Sequence, residues 1–253
     1  MGLTSLAKQA ALDVGLYPAV RWMRQHLWKR EQLAVFKRDV EFYSQFIGPN
    51  DLVFDVGANI GLKTEVFLAL GARVVAFEPQ ADCMYELKRR LAYRGDLTPV
   101  QAALGSAPGE QQFYVRQHRG ASGLLSDWEA PVESTVTVRV STLDEMIQTY
   151  GRPRFCKIDV EGFEPQVLEG LTGPIPALSI EYHLRPADMV KMVECLDRLS
   201  RFGAFRVNVT PFETLQFALR DWLEPGEFIR FFHEQLPRLN GYEYGDAFVR
   251  FDP

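Results

Sequence analysis

Two groups of side chains in this chain have the types and spacing to do chemistry. The first is Asp159 and Glu161 in KIDVEG, with Glu181 and His183 in ALSIEYH about twenty residues on. An imidazole with an ordinary pKa of about 6.5 can take a proton from a hydroxyl near neutral pH, so His183 is the candidate general base. Asp159 is the candidate holder of a cationic cofactor group or of an acceptor. Glu161 is a third catalytic candidate, and it also stands where an acidic side chain complements a helix N-terminus. The second group is Asp55, Gly57, Asn59 and Gly61 in DVGANIG, followed by Glu78-Pro79. Glycines at 57 and 61 allow a tight turn and a close backbone approach to a ligand. The spacing is D-x-G-x-N-x-G, and a carboxylate at Asp55 would repel a dinucleotide's pyrophosphate while attracting an ammonium group. Glu78 falls roughly twenty residues after the turn, the place where a ribose is held through its hydroxyls. Asp55 and Glu78 together indicate S-adenosylmethionine as the cofactor.

These residues need a parallel α/β scaffold to bring them together. Leu52 to Val56 is an almost wholly apolar run suited to a strand buried on both faces. Further strands are expected at 73–77, 97–102, 154–160, 177–183, 205–210 and 246–251, with helices at 62–70, 81–93, 143–150, 163–171 and 186–202. Segments 109–116 and 134–140 alternate polar and apolar residues and read as half-exposed strands. Thr142 is the expected N-cap of helix 143–150, with Glu145 as the acidic third position of a capping box. The aromatic residues Phe212, Phe217, Trp222, Phe228, Phe231 and Phe232 read as core or lid packing in preference to a substrate platform.

The stretches DVGANIG, FEP (77–79) and KIDVEGFEPQVLEG (157–170) carry a resemblance to the FkbM-type branch of class I S-adenosylmethionine-dependent methyltransferases, running from about residue 40 to about residue 210. It implies a Rossmann-like, mostly parallel seven-stranded sheet with helices on both faces, its last strand inserted antiparallel. It also implies that Ala103 and Leu104 border the adenine, and that HRGASGLLSDWEAP (118–131), with Trp128, covers the active site. The implied reaction is O-methylation of a hydroxyl on a sugar, polyketide or related metabolite, leaving S-adenosylhomocysteine. The stretch DVEGFE does not match the Asn-Pro-Pro-Tyr signature of an N-methyltransferase. Two other classes stay open: a nicotinamide-dependent oxidoreductase, disfavoured by Asp55 and the missing G-x-G-x-x-G, and a non-catalytic cofactor-binding scaffold.

Composition bounds the partners. The chain has 253 residues, 28 Lys or Arg against 33 Asp or Glu, and a net charge of −5, which argues against nucleic-acid binding through a global basic surface. Cys83, Cys156 and Cys195 lie far apart without a C-x-x-C pair, so buried free thiols are expected and no zinc site. A divalent cation at Asp159, Glu161 and His183 is conceivable from charge density but is not the favoured reading. Residues 1–48 are expected to form a helical extension to a methyltransferase domain at 49–253, with Leu16, Val20, Met23 and Leu27 on one stripe. That stripe would pack on the domain or on a second copy in a homodimer; its alternative is peripheral contact with an anionic membrane, given Arg21, Arg24, Lys29 and Arg30. No stretch is long and apolar enough to span a bilayer, and no secretory signal pattern opens the chain, so the expectation is a cytoplasmic protein.

Overall fold

The computed structural model describes residues 32–91, 93–117, 119–127, 131–212, 214–234 and 244–252. The stripe Leu16 to Leu27 and Trp128 lie outside them. Residues 32–43 are helical, and Phe42 begins a compact unit that runs to the C-terminus.

At the centre of that unit is β1 (Leu52–Val56), buried at every position. Its apolar side chains on both faces require cover from two layers, and it receives parallel neighbours on both edges. These are β2 (Arg73–Phe77) and β7 (Phe155–Ile158), with Val56 opposite Phe77 and Ile158. β3 (Leu97–Val100), β8 (Ala177–His183), β9 (Phe205–Pro211) and β10 (Tyr244–Phe251) complete a seven-stranded sheet in the order β3-β2-β1-β7-β8-β10-β9. β10 runs antiparallel to β8 and β9. Helices α1 (Leu62–Ala69), α2 (Ala81–Leu91), α3 (Leu143–Tyr150), α4 (Glu164–Glu169), α5 (Pro186–Leu199) and α6 (Pro225–Glu234) lie between the strands in sequence.

Several expectations are refined. The third strand ends at Val100, and Ala103–Leu104 forms β4 of a separate three-stranded sheet with β5 (Gly109–Arg116) and β6 (Val132–Ser141). β5 and β6 pair antiparallel, and β4 joins β6 with Leu104 opposite Ser141. Thr142 caps α3 as expected, accepting the Glu145 N–H at 3.1 Å. The other half of the capping box is diverted, because the Glu145 carboxylate accepts from the Ser141 hydroxyl. Phe228, Phe231 and Phe232 are buried, and Phe217 and Trp222 pack with Phe46 and Phe248. Phe212 departs from this group and is 43% exposed. All three cysteines are free and buried. Among the described residues, no helix is long and apolar enough to cross a membrane.

Candidate active site

The carboxyl ends of β1, β2, β7 and β8 border two adjoining cavities of about 500 and 460 Å³. Gly57, Asn59, Asp159, Glu181 and Tyr244 line both. Such a crevice beyond the strand ends is where open parallel sheets bind ligands.

On the β1–β2 side, the chain leaves β1 through Gly57 (φ 81°) and Asn59 (φ 50°), and Gly61 (φ 82°) caps α1. A β-carbon on Gly57 would sit 1.8 Å from the Asp159 carbonyl oxygen, so glycine is what lets the β1 turn lie against the end of β7. Gly61 faces Leu87 and Leu91 of α2 and lines neither cavity. Its role in the structure is the packing of that turn.

Glu78 closes the same turn. Its carboxylate accepts the Asn59 N–H at 2.9 Å and the Gln80 N–H at 2.8 Å, one on each oxygen. Each oxygen retains a lone pair for a further donor. Burial raises its pKa to about 7 against the opposing effect of the two N–H groups. Pro79, Ala103, Leu104 and Phe163 form an apolar part of the first cavity wall. Asp55 is 1% exposed and borders the second cavity. It accepts the Thr64 hydroxyl at 2.5 Å, which fastens α1 to β1. Burial raises its pKa, with Lys157 and Thr64 opposing.

On the β7–β8 side the charges are crowded. The Lys157 ammonium, 4% exposed, donates to Asp159 at 2.5 Å. Burial pushes Asp159 upward, but Lys157, Glu181 and His183 together outweigh it and hold the carboxyl below its ordinary value. Burial also acts against the Lys157 charge, and Asp159, Asp246 and Asp55 overcome it, so the ammonium is held more firmly protonated than usual. Glu181 is driven well above its ordinary value by burial and then by Asp159, Glu161 and Glu164. His183 Nε2 lies 3.3 Å from Glu181 Oε2.

Glu161 occupies the turn after β7 with φ 57°, followed by Gly162 at φ 89°. A positive φ is uncommon for a side chain of this kind and needs external support. Glu164, the first residue of α4, supplies it. Its buried carboxylate accepts the N–H groups of Val160 at 3.0 Å and Gly162 at 3.2 Å. Burial raises the Glu164 pKa to about 7, partly countered by these bonds.

Ligand atoms of Glu161, Glu181 and His183 lie within 4.8 Å of one another. Asp159, expected from the sequence to belong with Glu161 and His183, is engaged by Lys157 and also interacts with Glu181 and His183. The sequence reading also missed Lys157, Glu164, Tyr244 and Asp246. A lysine in a strand buried on both faces is a legible signal, because an interior charge requires a partner. Tyr244 and Asp246 carry no local signal. Antiparallel pairing sets them opposite His183 and Glu181. Of the segment expected to cover the site, Gly120 to Leu124 line the first cavity.

A central glycine turn, an acid after the second strand and a seven-stranded sheet with one inserted antiparallel strand define a class I S-adenosylmethionine-dependent methyltransferase fold. Residues 55–243 match the methyltransferase FkbM domain, and the chain belongs to that family of S-adenosylmethionine-dependent enzymes. It is similar to the hexuronic acid methyltransferase AglP of Haloferax volcanii, with 25% identity over 177 residues covering 67% of this chain and 72% of the relative. Among solved structures it is similar to Aeropyrum pernix fibrillarin with natively bound S-adenosyl-L-methionine, at 9% identity and a TM-score of 0.46, covering 81% and 68% of the two chains. A TehB-like SAM-dependent methyltransferase from Corynebacterium glutamicum has 11% identity and the same TM-score of 0.46, covering 93% and 100%. The fold assignment rests on this chain's own strand order.

Proposed function

We propose that the protein methylates a hydroxyl oxygen on a sugar or a related small molecule or glycan, with sugar acids the first acceptors to try. The observation that carries this reading is the shared wall of the two cavities, where Gly57 and Asp159 of the cofactor half meet Glu181 of the β8 end. The choice of acceptor is supported by the similarity to the Haloferax relative, named as a hexuronic acid methyltransferase.

The residues fit the cofactor. Glu78 would accept ribose hydroxyls on its remaining lone pairs, the apolar wall of Pro79, Ala103, Leu104 and Phe163 suits a flat base, and Asp159, paired with Lys157, would attract the ammonium. Asp55 adds negative charge from beneath the turn. Bound there, S-adenosylmethionine supplies a methyl group on a positively charged sulfur: a carbon–oxygen bond forms, the carbon–sulfur bond breaks, and the hydroxyl proton departs. The protein's part is to align the acceptor and favour loss of that proton. Glu161, Glu181 and His183 do this in the present reading.

Calorimetric titration with S-adenosylmethionine, S-adenosylhomocysteine and NAD tests the cofactor assignment, with Asp55→Ala and Glu78→Ala as controls. Binding of the two adenosyl ligands, weakened by both substitutions, is expected. A mass-spectrometric screen of hydroxylated acceptors should then show addition of one methyl group to glucuronate or galacturonate derivatives. Binding of NAD alone would sink the reading, and methylation of nitrogen would sink its oxygen specificity.

A further inference from the structure

We propose that Glu161, Glu181 and His183 form a divalent-cation site, with open positions that take two neighbouring oxygens of the acceptor. This inference rests on the methyltransferase reading above and assigns the manner in which its acceptor is held and activated.

The first observation is geometric. A cation bound at about 2.1–2.2 Å separates its ligand atoms by about 3.0 Å when they are adjacent and about 4.4 Å when they are opposed. Glu161, Glu181 and His183 present ligand atoms within 4.8 Å of one another, so they converge on one ion with little adjustment. The second observation is independent of that spacing. Glu181 Oε2 is sealed from solvent and accepts no hydrogen bond among the described residues, its near neighbour being His183 Nε2 at 3.3 Å. A buried carboxylate oxygen held only by a long contact to an imidazole is poorly compensated, and a cation bound by both groups would remove that cost.

The surroundings agree. Asp159, Glu161, Glu164, Glu181 and Asp246 all act on this end of the sheet, where the Lys157 ammonium opposes them. Lys157 is committed to Asp159, and Glu161 and Glu164 both act on buried Glu181 as like charges. All three residues line the first cavity, so positions not filled by the protein open toward the acceptor. Two carboxylates and one imidazole suit Mn²⁺ in particular and allow Mg²⁺.

The site selects acceptors whose reacting hydroxyl stands beside a second hydroxyl or a carboxylate, since such a pair chelates. Coordination lowers the pKa of the bound hydroxyl, and its proton leaves to water. His183 then serves as a ligand and not as the free base expected from the sequence.

The test is titration of the chelator-treated full-length protein with Mn²⁺, followed by electron paramagnetic resonance, with S-adenosylhomocysteine binding measured separately by calorimetry. One Mn²⁺ per chain is expected, weakened at least about tenfold in Glu181→Gln and in His183→Ala. Retained S-adenosylhomocysteine binding shows that a variant is folded; if either variant loses it, Glu161→Gln takes its place. Absence of a stoichiometric site, or a site unaffected by these substitutions, overturns the proposal. Mn²⁺ binding without S-adenosylhomocysteine binding would leave the cation site standing and remove the methyltransferase reading. The reverse result would remove the cation site alone.

Discussion

The β1–β2 end and the β7–β8 end of one sheet edge hold their carboxylates in opposite ways. Glu78 has a backbone N–H on each oxygen and Asp55 has the Thr64 hydroxyl. At the other end Asp159 relies on Lys157, while Glu181 sits among like charges. On the function proposed above, the contrast follows from what each end would receive. A ribose offers hydroxyl donors, so its carboxylate can be finished by backbone and left with spare lone pairs. An acceptor oxygen has to lose a proton, and for that an unfinished cluster is the useful arrangement. The β1–β2 end is organised by hydrogen bonds, and the β7–β8 end by charge.

The comparison breaks most severely where the two halves touch. Gly57→Ala places a β-carbon against the Asp159 carbonyl and forces alanine into a left-handed φ. A loss of about 3 kcal/mol is expected, lowering Tm by about 6–12 °C, as differential scanning calorimetry would register. An unchanged Tm would mean that the halves are not wedged together there.

Lys157→Met removes the cation of the crowded half and should destabilise by about 2–3 kcal/mol at pH 8, below the full figure for a buried pair because Asp159 is partly exposed. Asp159 titrates below its ordinary value in the wild type, so its pairing contributes above that value and is lost as the pH falls through its folded pKa. The deficit of the variant should therefore narrow in acid, which urea denaturation at several pH values would reveal. A deficit independent of pH would assign Lys157 a packing role.

Glu78→Ala sharpens the cofactor side. Loss of two hydrogen bonds from ribose to a carboxylate, about 1.5 kcal/mol each, weakens S-adenosylhomocysteine binding about 100-fold. In the wild type, donors from ribose favour ionised Glu78, whose free-state pKa is about 7. Ligand binding near pH 6.5 should then release a proton, and affinity should rise with pH up to about 7. Calorimetry in buffers of different ionisation enthalpy measures the release; proton uptake would contradict the role given to Glu78.

The smallest effect is expected at Glu164, which braces the Glu161 turn. Its folded pKa of about 7 lies above its ordinary 4.5. The stability it provides is complete below about 4.5 and declines as the pH rises through about 7. Glu164→Gln keeps an uncharged acceptor for the Val160 and Gly162 N–H groups, so Tm between pH 5 and 8 should fall less in the variant than in the wild type. A parallel decline in both would remove Glu164 as its source.

Much of this architecture is written locally. The apolar run Leu52 to Val56 can only be a doubly covered strand, DVGANIG can only turn through its glycines and Asn59, and Thr142 carries the first turn of its helix by itself. Glu78 is recognisable by its distance from the glycine turn, and the pairs Asp159 with Glu161 and Glu181 with His183 by their places at strand ends. These features depend on residues within a few positions of one another, or on a fixed strand-helix-strand length. The remainder depends on contacts between distant segments. Strand register sets Tyr244 opposite His183 and Asp246 opposite Glu181; the fold of β4 against β6 carries Ala103 and Leu104 to the cavity; and Lys157 pairs with Asp159 beside the corner where Glu161, Glu181 and His183 meet. Local pattern determines which strands end in acidic side chains. Only their packing decides which of those charges is neutralised from within and which is left for a ligand, because that balance is struck over a few ångströms between residues far apart in the chain.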